Sequence, residues 1–263
     1  MATSSPFGDL DRPPLRARPL QRALSPEGWR LEVLPRSGST NAVVAERARA
    51  GEPAGLVVVA EHQTAGRGRL DRTWVSPPRA GLTFSVLLRP ELPQAHWPWV
   101  PLTAGLAVAS AVREQGEVDA VLKWPNDVLI GAQKVCGVLA EVAGPDAVVV
   151  GMGLNVTTRE DELPHDGATS LRLAGAATTD RDTLLRCVLR SLGRFLAEPA
   201  GARSRYRELC STLGLEVRVE LPGRAPVEGM ATEVDDAGRL VVGGVAYGAG
   251  DVVHVRPAPE VSP

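Results

Sequence analysis

The spacing of apolar and polar residues along the chain predicts three helices. Residues 40–50 are apolar at helical intervals, with Ser39 placed to cap the first turn and Gly51 to end the last one. Residues 102–115 and 183–197 show the same periodicity over longer stretches, and the second of them has one markedly apolar side. Each pattern predicts an amphipathic helix packed on a larger core.

Short apolar and β-branched runs predict strands between these helices. The runs lie at residues 56–60, 82–88, 121–124, 128–130, 135–142 and 147–150. Turns of proline, asparagine, aspartate and glycine separate several of them, which indicates consecutive hairpins. Hairpins placed between helices are typical of a mixed sheet rather than of a strict alternation of parallel strands and helices.

The character of the chain changes at both ends. From residue 215 onward, short alternating strands separated by turns are typical of a small all-β barrel of about 45 residues, a size that needs a neighbour to pack on. Residues 1–25 combine prolines with Arg12, Arg16, Arg18 and Arg22. This composition favours a solvated, flexible tail over an arm that binds polyanions.

Composition narrows the class of protein. A chain of 263 residues with 44% hydrophobic residues can bury a substantial core, and its formal charge of -2 provides no overall attraction to nucleic acid or an anionic membrane. Three cysteines without a C-x-x-C pair indicate neither a disulfide framework nor a zinc site. No secretory signal or apolar run of roughly 18 residues is present, so we expect a protein of the reducing cytoplasm.

A glycine- and arginine-rich segment carries the strongest chemical signal. Arg67, Arg69 and Arg72 stand beside Gly66 and Gly68 directly after a predicted strand. Glycines let the backbone approach a ligand, and arginine side chains bind carboxylates and phosphates with two parallel hydrogen bonds. The segment therefore suits two mutually repelling anions held in contact, although taken alone it is equally compatible with a solvated basic loop.

Two further segments place polar groups at strand ends. Lys123-Trp-Pro-Asn-Asp127 forms a turn between predicted strands, and Lys134 begins the next strand, where Gly137 leaves room for a ligand. Either motif by itself is also compatible with an ordinary turn or a surface lysine. Gly151-Met-Gly153 lacks the third glycine of a dinucleotide-binding turn, and the phosphate-loop, G-x-S-x-G and H-E-x-x-H motifs are absent from the sequence.

Taken together, these segments resemble the biotin-protein ligase family. The resemblance covers about residues 30–256 and rests on motifs in matching order and spacing: Ser39-Thr40-Asn41, GRGRLDRTW at 66–74, KWPNDV at 123–128, KVCGVL at 134–139 and GMGLNV at 151–156. It implies an α+β catalytic domain over residues 26–212, with a mixed sheet related to class II aminoacyl-tRNA synthetases and lipoate ligases. It further implies an SH3-like barrel over residues 213–257, followed by a short tail at 258–263.

The resemblance also implies roles for individual residues. Biotin would be bound by Ser39, Thr40, Asn41, Gln63, Gly66, Arg67, Gly68, Arg69, Lys134 and Gly137. ATP and the adenylate would be bound by Arg69, Arg72, Trp74, Lys123, Asn126, Asp127, Lys134 and Asn155. Lys134 and Arg69 would be catalytic, Arg256 would contribute from the barrel, and no residue is assigned as a dedicated metal ligand.

The implied reaction has two steps. Biotin and ATP, with Mg²⁺, form biotinyl-5′-AMP and pyrophosphate, and biotin then passes to a lysine of a biotin carboxyl carrier protein or domain of an acyl-CoA carboxylase. Monomers or a weak homodimer are expected. Many members carry an amino-terminal winged-helix domain that binds DNA. The residues before Ser39 are fewer than the roughly 60 such a domain needs, so we expect no operator binding, which a gel-shift assay tests.

Three alternatives stay open at this point. A lipoate or octanoate ligase or transferase has the same fold, although the arginine-rich segment favours biotin. A binding-only module would retain biotin or its adenylate without transfer, although the presence of Lys134 and Arg69 disfavours it. Finally, Cys136 stands two positions from Lys134, which leaves an acyl-thioester intermediate possible.

Overall fold

A computed structural model describes residues 11–70, 72–221, 223, 225–248 and 251–254. The helices are α1 (Ala17–Leu24), α2 (Thr40–Arg49), α3 (Trp99–Gly116), α4 (Arg181–Ala197) and α5 (Pro199–Leu209). The first nine strands are β1 (Arg30–Leu34), β2 (Leu56–Ala60), β3 (Gly66–Arg67), β4 (Thr73–Trp74), β5 (Gly81–Leu88), β6 (Ala120–Lys123), β7 (Asp127–Ile130), β8 (Gln133–Val142) and β9 (Val148–Asn155). The remaining strands are β10 (Glu216–Glu220), β11 (Val227–Val234), β12 (Leu240–Val242), β13 (Val245–Tyr247) and β14 (Asp251–His254).

A seven-stranded mixed sheet forms the centre of the molecule. Its strand order is β1-β2-β5-β9-β8-β7-β6, in which β1 and β2 are parallel and every other neighbouring pair is antiparallel. Strands β6 to β9 are consecutive hairpins, as the sequence pattern predicts. The prediction of a mixed sheet is confirmed, and its central strands β5 and β9 are buried along nearly their whole length.

Helices cover both faces of this sheet. Helices α3 and α4 pack on one face over the main core, which contains Phe84, Leu106 and Leu185. Helix α2 packs on the opposite face over a smaller cluster that includes Val44 and Val58. Burial on both faces explains why the strands read as continuous apolar runs rather than as an alternation of apolar and polar residues.

Helix α2 follows its sequence signals closely. The Ser39 side chain accepts a hydrogen bond from the Ala42 amide, so it caps the helix as predicted, and Gly51 adopts a φ of 88° after the last turn. The cap fixes where the helix begins. It thereby fixes Thr40 and Asn41 at the amino-terminal end of the helix, beside the sheet.

The C-terminal strands form a second, smaller sheet. Five antiparallel strands lie in the order β13-β12-β11-β10-β14, and β10 alternates exposed and buried residues as expected of a sheet with one solvated face. Val217, Val219 and Leu240 join the main hydrophobic core, so the sheet packs on its neighbour. Within the described ranges no strand pairing joins β13 to β14, and closure into an SH3-like barrel stays a prediction.

The prediction of a flexible tail over residues 1–25 is wrong for residues 11–25. Residues 17–24 form helix α1, and Leu20 and Leu24 are only 2% and 1% exposed. The arginines that suggest a solvated tail are partly engaged with the domain, since Arg12 pairs with Glu162 and Arg16 with Asp182. Residues 1–10 lie outside the described part of the chain.

Other differences from the sequence-based prediction concern single elements. Helix α5 is not foreseen by the sequence analysis, because its three buried residues, Ala202, Tyr206 and Leu209, stand at helical spacing but among proline, glycine and arginine residues that obscure the pattern. The strand predicted over residues 147–150 instead continues to Asn155 as β9, so Gly151 and Gly153 lie within the central sheet and not in a turn. This extension places Gly151 and Gly153 along the cavity that carries the candidate active site.

Candidate active site

A cavity of about 950 Å³ lies over the central strands, at the amino-terminal end of α2. It is lined by nearly all the residues that the motifs single out: Ser39, Thr40, Asn41, Gln63, Arg67, Gly68, Arg69, Arg72, Trp74, Lys123, Asn126, Asp127, Lys134, Gly137 and Asn155. Gly66 lies instead on an adjoining cavity of about 700 Å³. Both cavities are lined by Arg67, Gly68, Arg69, Arg72 and Thr73. Arg256 lies outside the described residues. Segments far apart in sequence therefore converge on one site.

One wall of the cavity is a network of neutral hydrogen bonds. The Thr40 amide donates to Gln63 Oε1 at 2.9 Å, and Thr40 Oγ1 lies 3.2 Å from the same oxygen. Ser85, fully buried on β5, places its hydroxyl 2.7 Å from Thr40 Oγ1 and 2.6 Å from Asn41 Oδ1. A network of this kind fixes the direction of several hydrogen-bonding groups at once, which suits recognition of a polar, uncharged ring.

A two-stranded flap, residues 66–70 and 72–74, covers this wall. It is a small hairpin in which Gly66 pairs with Trp74 and Arg67 with Thr73. A Cβ at Gly66 would lie 2.3 Å from the Trp74 carbonyl oxygen, so only glycine permits this pairing. Leu70 at the tip adopts a φ of 53°.

Two arginines attach the flap to different parts of the sheet. Arg67 Nη2 lies 3.2 Å from a carboxylate oxygen of Glu141 on β8. Arg69 Nη1 donates to Asn126 Oδ1 at 2.9 Å, in the turn between β6 and β7. The flap thus lies across the cavity with guanidinium groups directed toward both sides.

Glycines of β8 and β9 form the floor under Trp74. A Cβ at Gly153 would lie 2.5 Å from the indole ring, and one at Gly137 would lie 3.2 Å from it. The indole therefore rests directly on the sheet, with its Nε1 buried and without a hydrogen-bond partner among the described residues. A flat aromatic surface at this place suits stacking of a ligand's planar ring.

Lys134 is directed into the cavity by a β-bulge. Opposite β7, Val128 pairs with Cys136 while Leu129 pairs with Lys134, so one residue of β8 is left over between them. Residues two apart on a regular strand share a face, but the bulge rotates the chain, so Lys134 lines the cavity while Cys136 is buried in the core. The Lys134 ammonium lies 2.6 Å from Asp127 Oδ1 and 5.8 Å from the centre of the Trp74 ring.

The backbone of Lys134 is held by a neighbouring loop. Its amide donates to Gly167 O and its carbonyl accepts from the Thr169 amide, both at 2.8 Å. The same loop accepts a 3.0 Å hydrogen bond from Asn155 Nδ2 at Thr169 O. One segment therefore positions both Lys134 and Asn155, a relation that neither motif indicates by itself.

Cys136 is not available as a nucleophile. It is completely buried, and this burial raises the pKa of its thiol to about 12 despite the nearby Lys134 cation. The thiol is therefore protonated at neutral pH, and thiolates rather than thiols are the nucleophilic species. The acyl-thioester alternative is rejected, and the small side chain serves packing.

The electrostatics of the cavity favour an anionic ligand. The side chains of Arg67, Arg69, Arg72, Lys123 and Lys134 line it, together with the carboxylates of Asp127 and Glu220. No group of three or more histidine, cysteine, aspartate or glutamate side chains suited to a metal ion occurs in the described ranges. None of the described helices combines the length and apolar character needed to span a bilayer.

Sequence motifs miss two polar residues of the site. Ser85 lies in an otherwise apolar strand, and Glu141 lies near the end of β8 and contacts both Arg67 and Asn41. A polar residue inside an apolar strand is itself a detectable signal, since buried polar groups are costly unless they are hydrogen-bonded. Their partners, however, are far away in sequence. Ser85 contacts Asn41, 44 positions away, and Glu141 contacts Arg67 and Asn41, 74 and 100 positions away.

Comparison with known proteins agrees with this fold. The model of the biotin/lipoate A/B protein ligase family matches residues 33–155. The chain belongs to this family. It is 45% identical to the biotin–[acetyl-CoA-carboxylase] ligase of Mycobacterium tuberculosis, over 94% of this chain and 98% of that protein.

Solved structures of biotin protein ligases are also similar. The Aquifex aeolicus enzyme in complex with biotin and ATP has a TM-score of 0.74 and 30% identity, covering 86% of this chain and 99% of that one. The Leishmania major enzyme in complex with biotinyl-5-AMP has a TM-score of 0.62 and 27% identity, covering 86% of this chain and 98% of that one. These relatives are biotin ligases, with ligands of the kind that a cationic cavity would hold.

Proposed function

We propose that this protein is an ATP-dependent biotin-protein ligase. It forms biotinyl-5′-AMP from biotin and ATP and then transfers biotin to a lysine of a biotin carboxyl carrier protein or domain of an acyl-CoA carboxylase. The observation that carries the proposal is the meeting of two independent cationic elements over one cavity, namely the flap with Arg67 and Arg69 and the strand-borne Lys134. The relative in Mycobacterium tuberculosis supports the choice of carrier.

In the first step, a carboxylate oxygen of biotin attacks the α-phosphorus of ATP, and pyrophosphate leaves. Both reactants are anions, so their approach is opposed by charge repulsion. Lys134 and Arg69 are placed to neutralise the two anions together, which lowers the energy of the pentacovalent transition state. Thr40, Asn41 and Gln63 hold the uncharged head group, so the carboxylate is presented in one orientation.

The nucleotide is proposed to lie along the Trp74 side of the cavity. Arg72, Lys123 and Asn126, which line the cavity, would contact its phosphates, and Asn155 would lie near the adenine. Asp127 and the phosphate oxygens together provide the oxygen ligands that Mg²⁺ prefers, since this ion is commonly held by one or two carboxylates and the substrate phosphates. Bound there, Mg²⁺ would offset phosphate charge.

In the second step, the neutral amine of a carrier lysine attacks the acyl carbon of the mixed anhydride. The bond from that carbon to the phosphate oxygen breaks, AMP leaves, and the amine loses a proton. An acyl phosphate is already a strong electrophile, so the protein contributes positioning and exclusion of water by the flap. No covalent enzyme nucleophile is needed, in agreement with the protonated state of Cys136.

The small C-terminal sheet completes the proposal. We propose that its strands close as an SH3-like barrel, as the resemblance to biotin-protein ligases implies. We also propose that this sheet supports the turn carrying Lys123 and Asp127. A hydrogen bond of 3.1 Å from the Trp124 indole to Gly238 O supports that contact.

The test is an assay of pyrophosphate release and carrier labelling with ATP, Mg²⁺ and biotin. We expect Lys134→Ala to slow adenylation by about a hundredfold or more, because a group that neutralises transition-state charge is removed. We expect Arg69→Gly to release adenylate into solution, because the flap no longer encloses it. Arg205→Ala, on the surface of α5 where the side chain pairs with Glu208, is the control and should match the unaltered protein.

Three results would reject the proposal. The first is pyrophosphate release with lipoate or octanoate but not biotin, which would make the protein a ligase of the neighbouring specificity. The second is unaltered adenylation and unaltered retention of adenylate in both variants. The third is binding of biotin without labelling of any carrier, which would make the protein a binding module.

A further inference from the structure

Glu141 is the one charged residue in the second half of β8, and it touches two parts of the site. Its Oε2 accepts a 2.5 Å hydrogen bond from Asn41 Nδ2, on the wall under the flap. Its Oε1 lies 3.2 Å from Arg67 Nη2, on the flap itself. The carboxylate is about one third exposed, and Glu141 lines the adjoining cavity of about 700 Å³.

The contact with Asn41 fixes which way that amide points. An ionised carboxylate only accepts hydrogen bonds, so the NH₂ group of Asn41 must face Glu141. The second hydrogen of that group is directed to Leu139 O, at 3.3 Å. The donors of Asn41 are thereby used, and its carbonyl oxygen is left facing Ser85.

This orientation is transmitted along the wall. Asn41 Oδ1 can only accept, so the single hydroxyl proton of Ser85 goes to it, at 2.6 Å. Ser85 Oγ then has only acceptor capacity left toward Thr40, which lies 2.7 Å away. The Thr40 hydroxyl proton then goes to Ser85 and not to Gln63 Oε1, which leaves the lone pairs of Thr40 Oγ1 as acceptors of the wall. The cyclic urea of biotin carries two N–H donors, so an acceptor wall is complementary to it, whereas the dithiolane ring of lipoate has no N–H group.

The contact with Arg67 acts on the flap. The Arg67 side chain is about half exposed, and without a partner it would sample many conformations. The Glu141 carboxylate holds it against β8 when the cavity contains no anion. An incoming carboxylate or phosphate competes with Glu141 for the same guanidinium. One side chain thus acts on both the flap and the orientation of the wall.

We propose that Glu141 is a positioning residue that orients the Asn41 amide, and through Ser85 the Thr40 hydroxyl, so that Thr40 accepts a hydrogen bond from the biotin head group, and that it holds Arg67 of the flap in the ligand-free enzyme. This inference rests on the proposed biotin-ligase function. It concerns the specificity and the ligand-free state of that site.

Two substitutions separate the two contacts. Glu141→Gln keeps an oxygen that accepts from Asn41 but loses the charge that holds Arg67, whereas Glu141→Ala loses both. Glu228→Gln, an exposed strand residue of the small sheet, is the matched control. Circular dichroism and thermal unfolding first establish that each variant is folded.

Hydrogen exchange, measured without ligand, reports how often the flap opens. We expect the flap amides, including that of Gly68, to exchange about threefold faster in both Glu141 variants, the size expected for loss of a half-exposed ion pair. In an Arg67→Ala background, Glu141→Gln should have no further effect. Unchanged exchange in Glu141→Gln would overturn the role in holding the flap.

The dissociation constant for biotin tests the orientation of the wall. We expect the dissociation constant for biotin to rise about tenfold in Glu141→Ala and to stay within about twofold of the unaltered value in Glu141→Gln. Equal dissociation constants in Glu141→Ala and the unaltered protein would overturn the role in orienting Asn41. The exchange measurement uses no ligand, so failure of the biotin-ligase function itself would show only as absence of adenylation by the unaltered protein.

Discussion

At the scale of single residues, the site depends on glycines as much as on charges. Gly137 and Gly153 let the Trp74 ring lie directly on the sheet, where a side chain on either glycine would meet the indole. The sequence indicates that Gly137 leaves space, but it does not show what fills that space. The structure shows that the indole of Trp74, on the flap, fills it.

Adding one methyl group tests this arrangement. We expect Gly153→Ala to displace the indole, because the new Cβ would lie 2.5 Å from it. Overpacking of this kind costs about 1–3 kcal/mol, so we expect a lower melting temperature and a KM for ATP raised about tenfold. Gly201→Ala in α5, where the nearest atom is 3.9 Å from the added Cβ, is the control and should leave the KM for ATP unchanged without lowering the melting temperature. Unaltered ATP kinetics in Gly153→Ala would show that Trp74 is not part of the nucleotide site.

At the scale of elements, the amino-terminal segment is joined to the domain by buried charges. Arg12 is 5% exposed and donates to Thr157 O at 3.0 Å and to Glu162 Oε2 at 2.5 Å. Further along, Arg181 donates both to Pro13 O and to the buried Glu61. Pairing and hydrogen bonding together make the burial of these charges tolerable, whereas removal of one partner leaves the other uncompensated.

The pair of Arg12 and Glu162 makes a prediction about pH. The hydrogen bond from Arg12 is the main cause that lowers the pKa of Glu162 from its usual range. A carboxyl whose pKa is lowered on folding stabilises the fold above its unfolded pKa, about 4.3, and this contribution is lost as the pH falls through the lower, folded value.

We therefore expect Arg12→Met to lower the free energy of unfolding by about 2 kcal/mol at pH 7 and by less below about pH 4. Urea unfolding at several pH values measures the difference. Arg22→Met, on the exposed side of α1, serves as the control. A difference that stays constant from pH 7 to pH 3 would contradict the assignment of Glu162 as the titrating partner.

At the scale of the whole molecule, one turn of the small sheet is held by the large domain. The Trp124 indole donates to Gly238 O at 3.1 Å, and the Trp99 indole donates to Asp236 O at 2.9 Å. Arg207 of α5 donates to Val234 O at 2.8 Å. Because Trp124 belongs to the same turn as Lys123 and Asn126, the small sheet helps to position residues of the cavity.

Trp124→Phe tests this dependence. An aromatic ring is kept but it is smaller, so the buried Gly238 carbonyl loses its donor and a small cavity is left, which costs at least about 1–3 kcal/mol of stability. We also expect the KM for ATP to rise, because the turn carrying Lys123 becomes less well positioned. Trp97→Phe is the matched control, since the Trp97 indole donates to Leu92 O at the surface. If both substitutions had equal effects on the KM, the contact would be structural only.

The sequence by itself determined the periodic elements, the mixed character of the sheet, the cap at Ser39 and the set of motifs that meet in the cavity. These features depend on local spacing or on residue types whose chemistry is independent of context, such as glycine, arginine and lysine. Helices α1 and α5 were not predicted, although their buried residues stand at helical spacing, because each helix has only two or three of them among prolines and arginines.

Only the tertiary structure decided which faces and partners the site residues adopt. Lys134 and Cys136 should share a face on a regular strand, but a bulge opposite Val128 directs one into the cavity and the other into the core. Glu141 gains its two partners from segments 74 and 100 positions away. Pairing between strands and contacts across long loops are set by the packing of the whole chain, and no local pattern of residues records them.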